Sequence, residues 1–488
     1  MGETITACEV ARHNKTDDVW VVVDGEVFDM TAFAPEHPGG PEIIYQYAGR
    51  DASSTYNEVH APSLIRRSLD AKAHIGTLDA SSITDEWKNA NAMTIPQADD
   101  AKGKANLEDI INLDDFEAAA ATSLSRKSMA FIHSGSNDNI TRDANREFLK
   151  RVWLRPAVMR NVSSVNTSTT LFGCKLDIPV YIAPTGGAKT GGSEGELTLA
   201  RGAAAGGIIH CFATPSSYPY SEILEETAKH AFFQLYVNKD RKQSEAAVRQ
   251  VVASGKIKAI FVTADVPVVP KREEDERVRS AETQAIAGIK VSVGGKDTKG
   301  AGFARLASSF IDSSLSWDDI KWLRSLTSVP ILVKGIQRAE DAKIAYEIGC
   351  DGVVLSNHGG RAADNAPPAI LVLLELHKSC PEVLGAMEIL VDGGFRRGSD
   401  VVKAICLGAS AVGFGRSFLY ALGYGEEGIE RAIEIIKDEV ETTMRLCGIT
   451  DLMRDAHPRY VNTKDIDHLV PDEGHSYVKR VLRRSARL

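Results

Sequence analysis

Short apolar runs recur through the second part of the chain, and stretches with helical spacing separate them. Eight such runs occupy residues 178–183, 208–213, 232–237, 259–264, 330–335, 351–356, 388–392 and 411–415. Continuous apolar runs of this length are typical of strands buried on both faces of a parallel sheet. One helical stretch, residues 339–348, ends at Gly349, a common helix stop. Eight strand–helix units over about 250 residues predict a (β/α)8 TIM barrel.

The first part of the chain has a different pattern. Short strand-like runs at residues 19–23 and 27–30 alternate with polar turns. Residues 79–105 are rich in Asp, Ser, Ala, Asn and Lys, which is typical of a linker. The sequence therefore predicts a multidomain protein: a small α+β unit at 1–78, a linker at 79–105, and an α/β barrel with a C-terminal tail at 106–488.

Composition excludes several classes of partner. The net charge of −9 argues against a nucleic-acid surface and against a polybasic membrane patch. No run of about eighteen apolar residues exists that would span a bilayer. The seven cysteines are scattered and form no Cys-x-x-Cys pair, which excludes a cysteine-type zinc site and covalent haem attachment and fits a reducing compartment.

The two ends of the sequence bear on localisation. No Arg-rich stretch or secretory apolar region stands at the start, so no mitochondrial presequence is evident. The last residues, Ala486-Arg487-Leu488, are a variant of the peroxisomal address Ser-Lys-Leu. We therefore expect a cytoplasmic or a peroxisomal protein, and the sequence leaves both open.

Polar residues stand at the carboxyl ends of the predicted strands, where the active sites of such barrels lie. They are Thr185, Gln234, Tyr236, Thr263, Asp265, Lys334, His358, Arg361, Asp392 and Arg416. The turn from Ser356 to Arg361 is the most informative, because it joins a base, two glycines and a guanidinium. His358 can accept a proton, and Arg361 can bind a carboxylate with its planar fork. Such groups are needed to oxidise a 2-hydroxy acid, whereas a lone histidine would more simply be a packing residue.

Glycines and arginines after the last two strands predict a phosphate site, and therefore a flavin nucleotide. Gln234, Thr263 and Lys334 can satisfy the polar edge of an isoalloxazine, and a lysine there would stabilise the reduced, anionic flavin. No Gly-x-Gly-x-x-Gly motif follows a first strand, so an NAD site is unsupported. The predicted FMN contacts are Pro184, Thr185, Gln234, Thr263, Lys334, Ser356, Asp392, Gly393, Gly394, Arg396, Gly415 and Arg416.

Two histidines in the N-terminal unit, His37 and His60, predict a second redox group. Neutral imidazoles on opposite walls of an apolar pocket would hold a haem iron with no open position, which suits electron transfer. The surrounding motifs resemble the cytochrome b5 family. They are Thr6-x-x-Glu9-Val10-x-x-His13-Asn14, Trp20-Val21-Val22-Val23, Phe28-Asp29-Met30-Thr31, His37-Pro38-Gly39-Gly40 and Ala48-Gly49-Arg50-Asp51-Ala52. The resemblance implies haem b with His37 and His60 as axial ligands of the iron.

Most of the negative charge lies on this unit, since residues 3–79 hold 13 acidic and 6 basic side chains. An acidic surface would attract a basic electron acceptor, although simple solubility is an alternative explanation.

Barrel motifs between residues 108 and 460 resemble the FMN-dependent 2-hydroxy-acid dehydrogenase and oxidase family. They are Gln234-Leu235-Tyr236-Val237, Thr263-Ala264-Asp265-Val266-Pro267, Lys334-Gly335-Ile336, Ser356-Asn357-His358-Gly359-Gly360-Arg361 and Asp392-Gly393-Gly394-Phe395-Arg396-Arg397-Gly398. With a haem unit in front, the chain resembles the flavocytochromes of that family. The resemblance implies oxidation of an L-2-hydroxy acid such as lactate, electron flow from flavin to haem to an acceptor such as cytochrome c, and a homotetramer.

The resemblance also assigns roles within the barrel. His358 is the base that removes a substrate proton, and Asp265 orients it and stabilises the imidazolium. Arg361 holds the substrate carboxylate, and Tyr236 binds the hydroxyl. Arg272 matches a second arginine at the edge of the pocket.

Three departures from the family pattern suggest a substrate larger or more apolar than lactate. Phe131 stands where the family has a tyrosine that binds the carboxylate, which removes a hydrogen bond worth roughly 1.5–3 kcal/mol. Gly186 and Gly187 follow Thr185 in place of bulkier residues, so we expect more room beside the substrate side chain. The third departure is Ala362-Ala363 after Arg361.

Two other functions remain open from the sequence. The first is an oxidase that reduces oxygen to hydrogen peroxide, which the C-terminal tripeptide and the missing tyrosine favour. The second is an electron carrier whose barrel is inactive. The presence of His358, Asp265, Arg361 and Lys334 argues against an inactive barrel.

Overall fold

The computed structural model describes residues 3–37, 40–84, 87, 104–278 and 310–471. Most of the predicted linker lies outside these residues, as does the C-terminal tripeptide Ala486-Arg487-Leu488. The predicted order of a small α+β unit followed by a parallel barrel is confirmed.

The N-terminal unit is a mixed sheet with four short helices. Its strands are β1 Glu3–Ile5, β2 Asn14–Lys15, β3 Asp18–Val23, β4 Glu26–Asp29, β5 Arg50–Asp51 and β6 His74–Leu78, in the order β1-β6-β4-β3-β2 with β5 beside β3. Its helices are α1 Ala7–Arg12, α2 Pro41–Tyr45, α3 Ser53–Val59 and α4 Pro62–Ser68. Along β3, Val21 and Val23 pack on one face and Val22 on the other, the period of two that a strand requires.

Eight parallel strands close into a barrel in the second unit. They are β10 Val180–Ile182, β11 Ile209–Ala213, β12 Ala231–Leu235, β13 Ile257–Thr263, β14 Ile331–Ile336, β15 Gly352–Leu355, β16 Glu388–Asp392 and β17 Ala411–Phe414. Each lies within one or two residues of an apolar run in the sequence. The predicted (β/α)8 barrel is therefore confirmed strand by strand.

Helices surround the barrel and also precede it. Among the described residues from 104 onward, three come before the first barrel strand: α5 Leu113–Ser123, α6 Arg126–His133 and α7 Ile140–Lys150. The others are α8 Gly195–Ala205, α9 Tyr220–Glu226, α10 Arg241–Ala253, α11 Asp319–Leu326, α12 Ala339–Glu347, α13 Ala369–Ser379, α14 Gly398–Cys406, α15 Arg416–Ala421, α16 Gly425–Cys447 and α17 Leu452–Asp455. Short antiparallel pairs join β7 Trp153–Leu154 to β18 Val461–Asn462 and β8 Thr169–Leu171 to β9 Cys174–Leu176.

The interior of the barrel is filled at one end and open at the other. Side chains that point inward form one packed cluster, which includes Tyr181, Phe232 and Phe261. This cluster fills the interior below, and a cavity opens at the carboxyl ends of the strands. No helix among the described residues is long and apolar enough to cross a membrane.

Candidate active site

A cavity of about 680 Å³ opens at the carboxyl ends of the barrel strands. That volume is in the range of sites for cofactors and other small molecules. Predicted residues in its wall are Pro184, Thr185, Gly186, Lys334, His358, Arg361, Asp392, Gly393, Gly394, Arg396, Gly415 and Arg416. Thus most of the residues predicted from scattered motifs meet around one space.

The turn that follows β15 holds His358 in an uncommon backbone conformation. His358, Gly359 and Gly360 have φ values of 60°, 63° and 82°, all in the left-handed region. A β-carbon at Gly360 would collide with the backbone of Arg142 in α7. Gly360 therefore serves the turn and the packing of a helix, whereas Gly359 lines the cavity. A left-handed histidine is strained, and such strain is found at functional sites.

His358 lies between a carboxylate and a phenol. Its Nδ1 is 3.1 Å from Oδ1 of Asp265, and its Nε2 is 3.3 Å from the hydroxyl of Tyr236. Burial alone would raise the pKa of Asp265, but the charges of His358 and Lys334 outweigh it and lower that pKa. The ionised Asp265 accepts the Nδ1 proton, so Nε2 is left free to accept another. Tyr236 is not among the residues that line the cavity.

A buried lysine at the end of β14 anchors the floor of the cavity. Nζ of Lys334 donates to Oγ of Ser356 at 2.9 Å and is 3.4 Å from a carboxylate oxygen of Asp392. Burial lowers the pKa of Lys334, but Asp392 and Asp265 raise it above the ordinary value. Lys334 therefore stays a cation and points its charge at the cavity.

Two further predicted residues bond to each other beside the cavity. Nε2 of Gln234 donates to Oγ1 of Thr263 at 2.8 Å, and Oε1 of Gln234 accepts the backbone N–H of Thr214. Both side chains are buried.

One buried arginine, Arg272, and two half-buried ones, Arg361 and Arg416, converge on the backbone between Phe131 and Ser134. Arg361 donates to the carbonyl oxygens of Phe131, Ile132 and Ser134, and Arg416 donates to those of Ile132 and Ser134. Arg272 donates to the Phe131 carbonyl and to Ser134 Oγ. Burial, reinforced by the neighbouring guanidiniums, lowers the pKa of Arg361 and of Arg416 to about 9. Arg361 and Arg416 both line the cavity, and their positive charges suit the binding of an anion there.

Arg272 and Phe131 lie against each other near Arg361. The Arg272 guanidinium is 5.0 Å from the centre of the Phe131 ring, and neither residue is part of the cavity lining. The placement of both as residues that touch the substrate stays a prediction.

Pro215 occupies the space that we expected to be free beside Gly186. A β-carbon at Gly186 would lie 2.8 Å from Cγ of Pro215, in the next strand–helix loop. Glycine at this position is explained by the approach of Pro215, and the expectation of an enlarged pocket there is wrong on geometric grounds.

Charged residues that the sequence reading missed come from the helices before the barrel. Glu117 of α5 and Arg142 of α7 both line the cavity. An oxygen of Glu117 is 2.7 Å from the guanidinium of Arg396, a predicted phosphate ligand. No motif marks these residues, because their position depends on how the helices pack over the barrel mouth.

The cavity suits FMN in its shape and in its charges. Gly413 and Gly415 line it, and a β-carbon at Gly413 would lie 2.6 Å from the hydroxyl of the fully buried Tyr181. Oγ1 of Thr185 is buried there without a protein hydrogen-bond partner. Backbone without side chains, an unpaired hydroxyl, a buried lysine and convergent arginines fit a flat polar ring with a phosphate.

The predicted haem ligands face each other in the N-terminal unit. The ring centres of His37 and His60 are 6.2 Å apart, close to the roughly 6 Å expected for two imidazoles that bind one metal with bonds of about 2 Å. Nδ1 of His37 is 3.1 Å from the carbonyl oxygen of Gly40, which leaves Nε2 as the acceptor. Burial lowers the pKa of His60 to about 4, so its imidazole is neutral. The pair fits a haem iron.

Comparisons with known proteins agree with both sites. Residues 120–463 match the family model described as FMN-dependent dehydrogenase, and residues 6–79 match the cytochrome b5-like heme/steroid binding domain. The chain belongs to the FMN-dependent dehydrogenase family and carries a cytochrome b5-like domain in front of the barrel. Its cofactors are FMN and haem b.

Three similar proteins illustrate the range of the family. L-lactate dehydrogenase (cytochrome) of Wickerhamomyces anomalus is 38% identical over 462 residues, which cover 94% of this chain and 79% of the relative. A peroxisomal (S)-2-hydroxyacid oxidase of Arabidopsis thaliana is 39% identical over 364 residues, 73% of this chain and 99% of the relative. A solved structure of a mutant flavocytochrome b2 with pyruvate bound has a TM-score of 0.68 at 37% identity, covering 79% of this chain and 95% of that one.

Proposed function

We propose that the protein oxidises an L-2-hydroxy acid to the 2-oxo acid and passes the electrons through its own haem to an external acceptor. The observation that carries the proposal is His358, held between Asp265 and Tyr236 in the same cavity wall as Arg361. This arrangement offers a base and a carboxylate ligand at one end of a site that fits FMN.

Each residue has a defined task in this proposal. Arg361 gives up hydrogen bonds to backbone carbonyl oxygens and binds the substrate carboxylate instead. Tyr236 orients the substrate hydroxyl toward His358. Nε2 of His358 takes up a substrate proton, and Asp265 stabilises the imidazolium that forms. Bound FMN supplies the acceptor for the electron pair, and bound haem b supplies a carrier of single electrons. Lys334 places positive charge where the reduced flavin gains negative charge.

The relative from Wickerhamomyces anomalus supports lactate as a substrate and a cytochrome as the acceptor, since it is called L-lactate dehydrogenase (cytochrome). A homotetramer and a cytoplasmic or peroxisomal location also remain proposals. Because Pro215 fills the space beside Gly186, the preference for a larger acid now depends on Phe131 and on Ala362-Ala363.

An anaerobic absorption spectrum of the holoprotein tests the proposal. L-lactate, glycolate, L-mandelate, L-2-hydroxyoctanoate and L-phenyllactate are added one at a time. We expect at least one acid to bleach the flavin and the bands of reduced b-type haem to follow. If no acid bleached the flavin, the proposal would be wrong.

The oxidase remains the second candidate, because hydroxyacid oxidases share the barrel at similar identity. It predicts flavin bleaching with haem left oxidised, and hydrogen peroxide formed in air at the rate of substrate oxidation. Peroxide far below that rate, together with reduction of added cytochrome c, would exclude it.

A further inference from the structure

The chain next to His60 is hydrogen-bonded to two loops at the mouth of the barrel. Nζ of Lys189 donates to the carbonyl oxygen of His60 at 2.8 Å. The backbone N–H of Ala61 donates to the carbonyl oxygen of Ser217 at 2.9 Å. Two consecutive residues of the N-terminal unit are thus held by two different loops of the barrel, which we call the docking loops: residues 184–190 and 214–217.

A buried carboxylate joins the docking loops. Oε1 of Glu196 accepts the backbone N–H groups of Ala188 at 3.1 Å and of Ser217 at 2.8 Å. The backbone N–H of Lys189 also donates to Oγ of Ser217 at 3.2 Å. Glu196 is fully buried in α8, so it is anchored by the packing of that helix. The docking loops therefore form one rigid support.

The first docking loop is also part of the active-site wall. Thr185 and Gly186 line the cavity, and the N–H of Gly187 donates to the carbonyl oxygen of Pro215 at 2.9 Å. Only a few residues of continuous chain separate the cavity wall from the ammonium group that holds His60.

Contacts farther out, among them an ion pair of 3.5 Å between Lys127 and Glu58, add to the interface and are weaker. Ser63 donates to Glu222 at 2.7 Å, and Arg67 donates to Ser221 at 2.8 Å and lies 3.2 Å from Glu222. Arg67 is half exposed, and exposed ion pairs contribute little. Lys189 is less exposed and bonds beside the haem ligand itself, so it is the contact that fixes the haem position.

We propose that Lys189 is a positioning residue that docks the segment carrying the haem ligand His60 onto the active-site wall, with Glu196 fixing the loop from which Lys189 extends. The docked arrangement governs how fast the haem receives electrons and leaves substrate oxidation in the barrel unaffected. This inference rests on the proposed function, because it concerns the transfer between the two sites.

Hydrogen–deuterium exchange on the full-length holoprotein tests the docking without reference to activity. Lys189→Met is compared with Lys189→Arg and with Lys175→Met, which changes an exposed lysine of the same unit. We expect peptides covering residues 60–69 and 214–222 to exchange faster in Lys189→Met, because the amide of Ala61 loses its protection. Lys175→Met should match the unchanged protein, and Lys189→Arg should lie between.

Stopped-flow absorption then separates the two electron transfers. In Lys189→Met we expect haem reduction to slow about tenfold or more, the effect of losing a hydrogen bond from a charged donor, while flavin bleaching changes less than about twofold. A purely structural defect would slow both steps together. Equal exchange and equal haem reduction in Lys189→Met and Lys175→Met would overturn the proposal.

Two possible outcomes of these experiments require either a further variant or a comparison with the unchanged protein. If Lys189→Met lost haem or flavin on purification, Lys189→Gln, which shortens the side chain and removes its charge, takes its place: haem reduction should still slow in the same direction, and an unchanged rate would overturn the proposal. If the unchanged protein failed to bleach with any acid, the proposed function would be wrong, whereas the exchange measurement would still decide the docking.

Discussion

His358 and His60 are both histidines of redox sites, yet their surroundings differ in every respect. His358 has a carboxylate on one ring nitrogen and a phenol on the other, in a cavity lined with lysine and arginine. Nδ1 of His60 has no hydrogen-bond partner, and the ring lies beside another imidazole and the ring of Tyr56. A carboxylate partner favours a histidine that gains and loses a proton. Without one, burial keeps the ring neutral and free for a metal.

Substitution of His60 should have the largest effect that distinguishes the two histidine sites. His60→Ala should abolish haem binding, because one axial ligand is lost. The bond from Lys189 goes to the backbone of residue 60, so docking should persist. We expect purified protein with a flavin spectrum, no haem band and an unchanged rate of flavin bleaching by substrate. Slower bleaching would show that the two sites are not separate.

The converse variant is His358→Gln. Loss of the base should slow flavin bleaching by a factor of about 10²–10⁴ while the haem spectrum stays intact. Rapid anaerobic mixing with substrate measures the rate. His468→Gln, at an exposed position, is the control and should react like the unchanged protein. A His358→Gln rate within a factor of about three of the control would contradict the assignment of the base.

Phe131→Tyr examines substrate binding. The ring lies 5.0 Å from the guanidinium of Arg272 and 6.0 Å from that of Arg361, so a hydroxyl there would be added beside both cations. One added hydrogen bond to the charged carboxylate of the substrate should raise kcat/KM for L-lactate about tenfold. Steady-state kinetics with L-lactate check this. An unchanged kcat/KM would mean that Phe131 does not face the substrate carboxylate.

The smallest effect concerns His210, a third buried histidine with neither a carboxylate nor a metal partner. Burial lowers the pKa of His210 to about 3. In unfolded chains the value is about 6.5, so between these limits the unfolded state binds one more proton and the free energy of unfolding falls as pH falls. We expect His210→Gln to remove about 1 kcal/mol of this fall between about pH 6.5 and pH 5.5, measured by urea unfolding. An unaltered pH dependence would contradict it.

Features with a local cause could be predicted from the sequence. The barrel strands are buried on both faces and therefore appear as continuous apolar runs. The turn from Ser356 to Arg361 could be predicted because its functional residues are contiguous in the sequence. The same holds for His37 and His60, whose motifs are short. Their roles and the domain boundaries still stand as predictions.

Features created by packing between distant segments could not be predicted. Glu117 and Arg142 reach the cavity only because α5 and α7 cover the barrel mouth. Pro215 closes the space beside Gly186 from the next loop, and Lys189 meets His60 across 129 residues of sequence. No pattern within one segment records such contacts.

Tyr181 and Gly413 set the height of the cavity floor between them. The tyrosine hydroxyl occupies the space that any side chain at 413 would need, and the pair is buried in neighbouring strands. The packing of the barrel core therefore determines how deep in the cavity a flat ligand can bind. A substitution at either position would shift a flat ligand relative to His358. The alignment of the redox centre with its base therefore depends on two residues that need not contact the substrate or its proton.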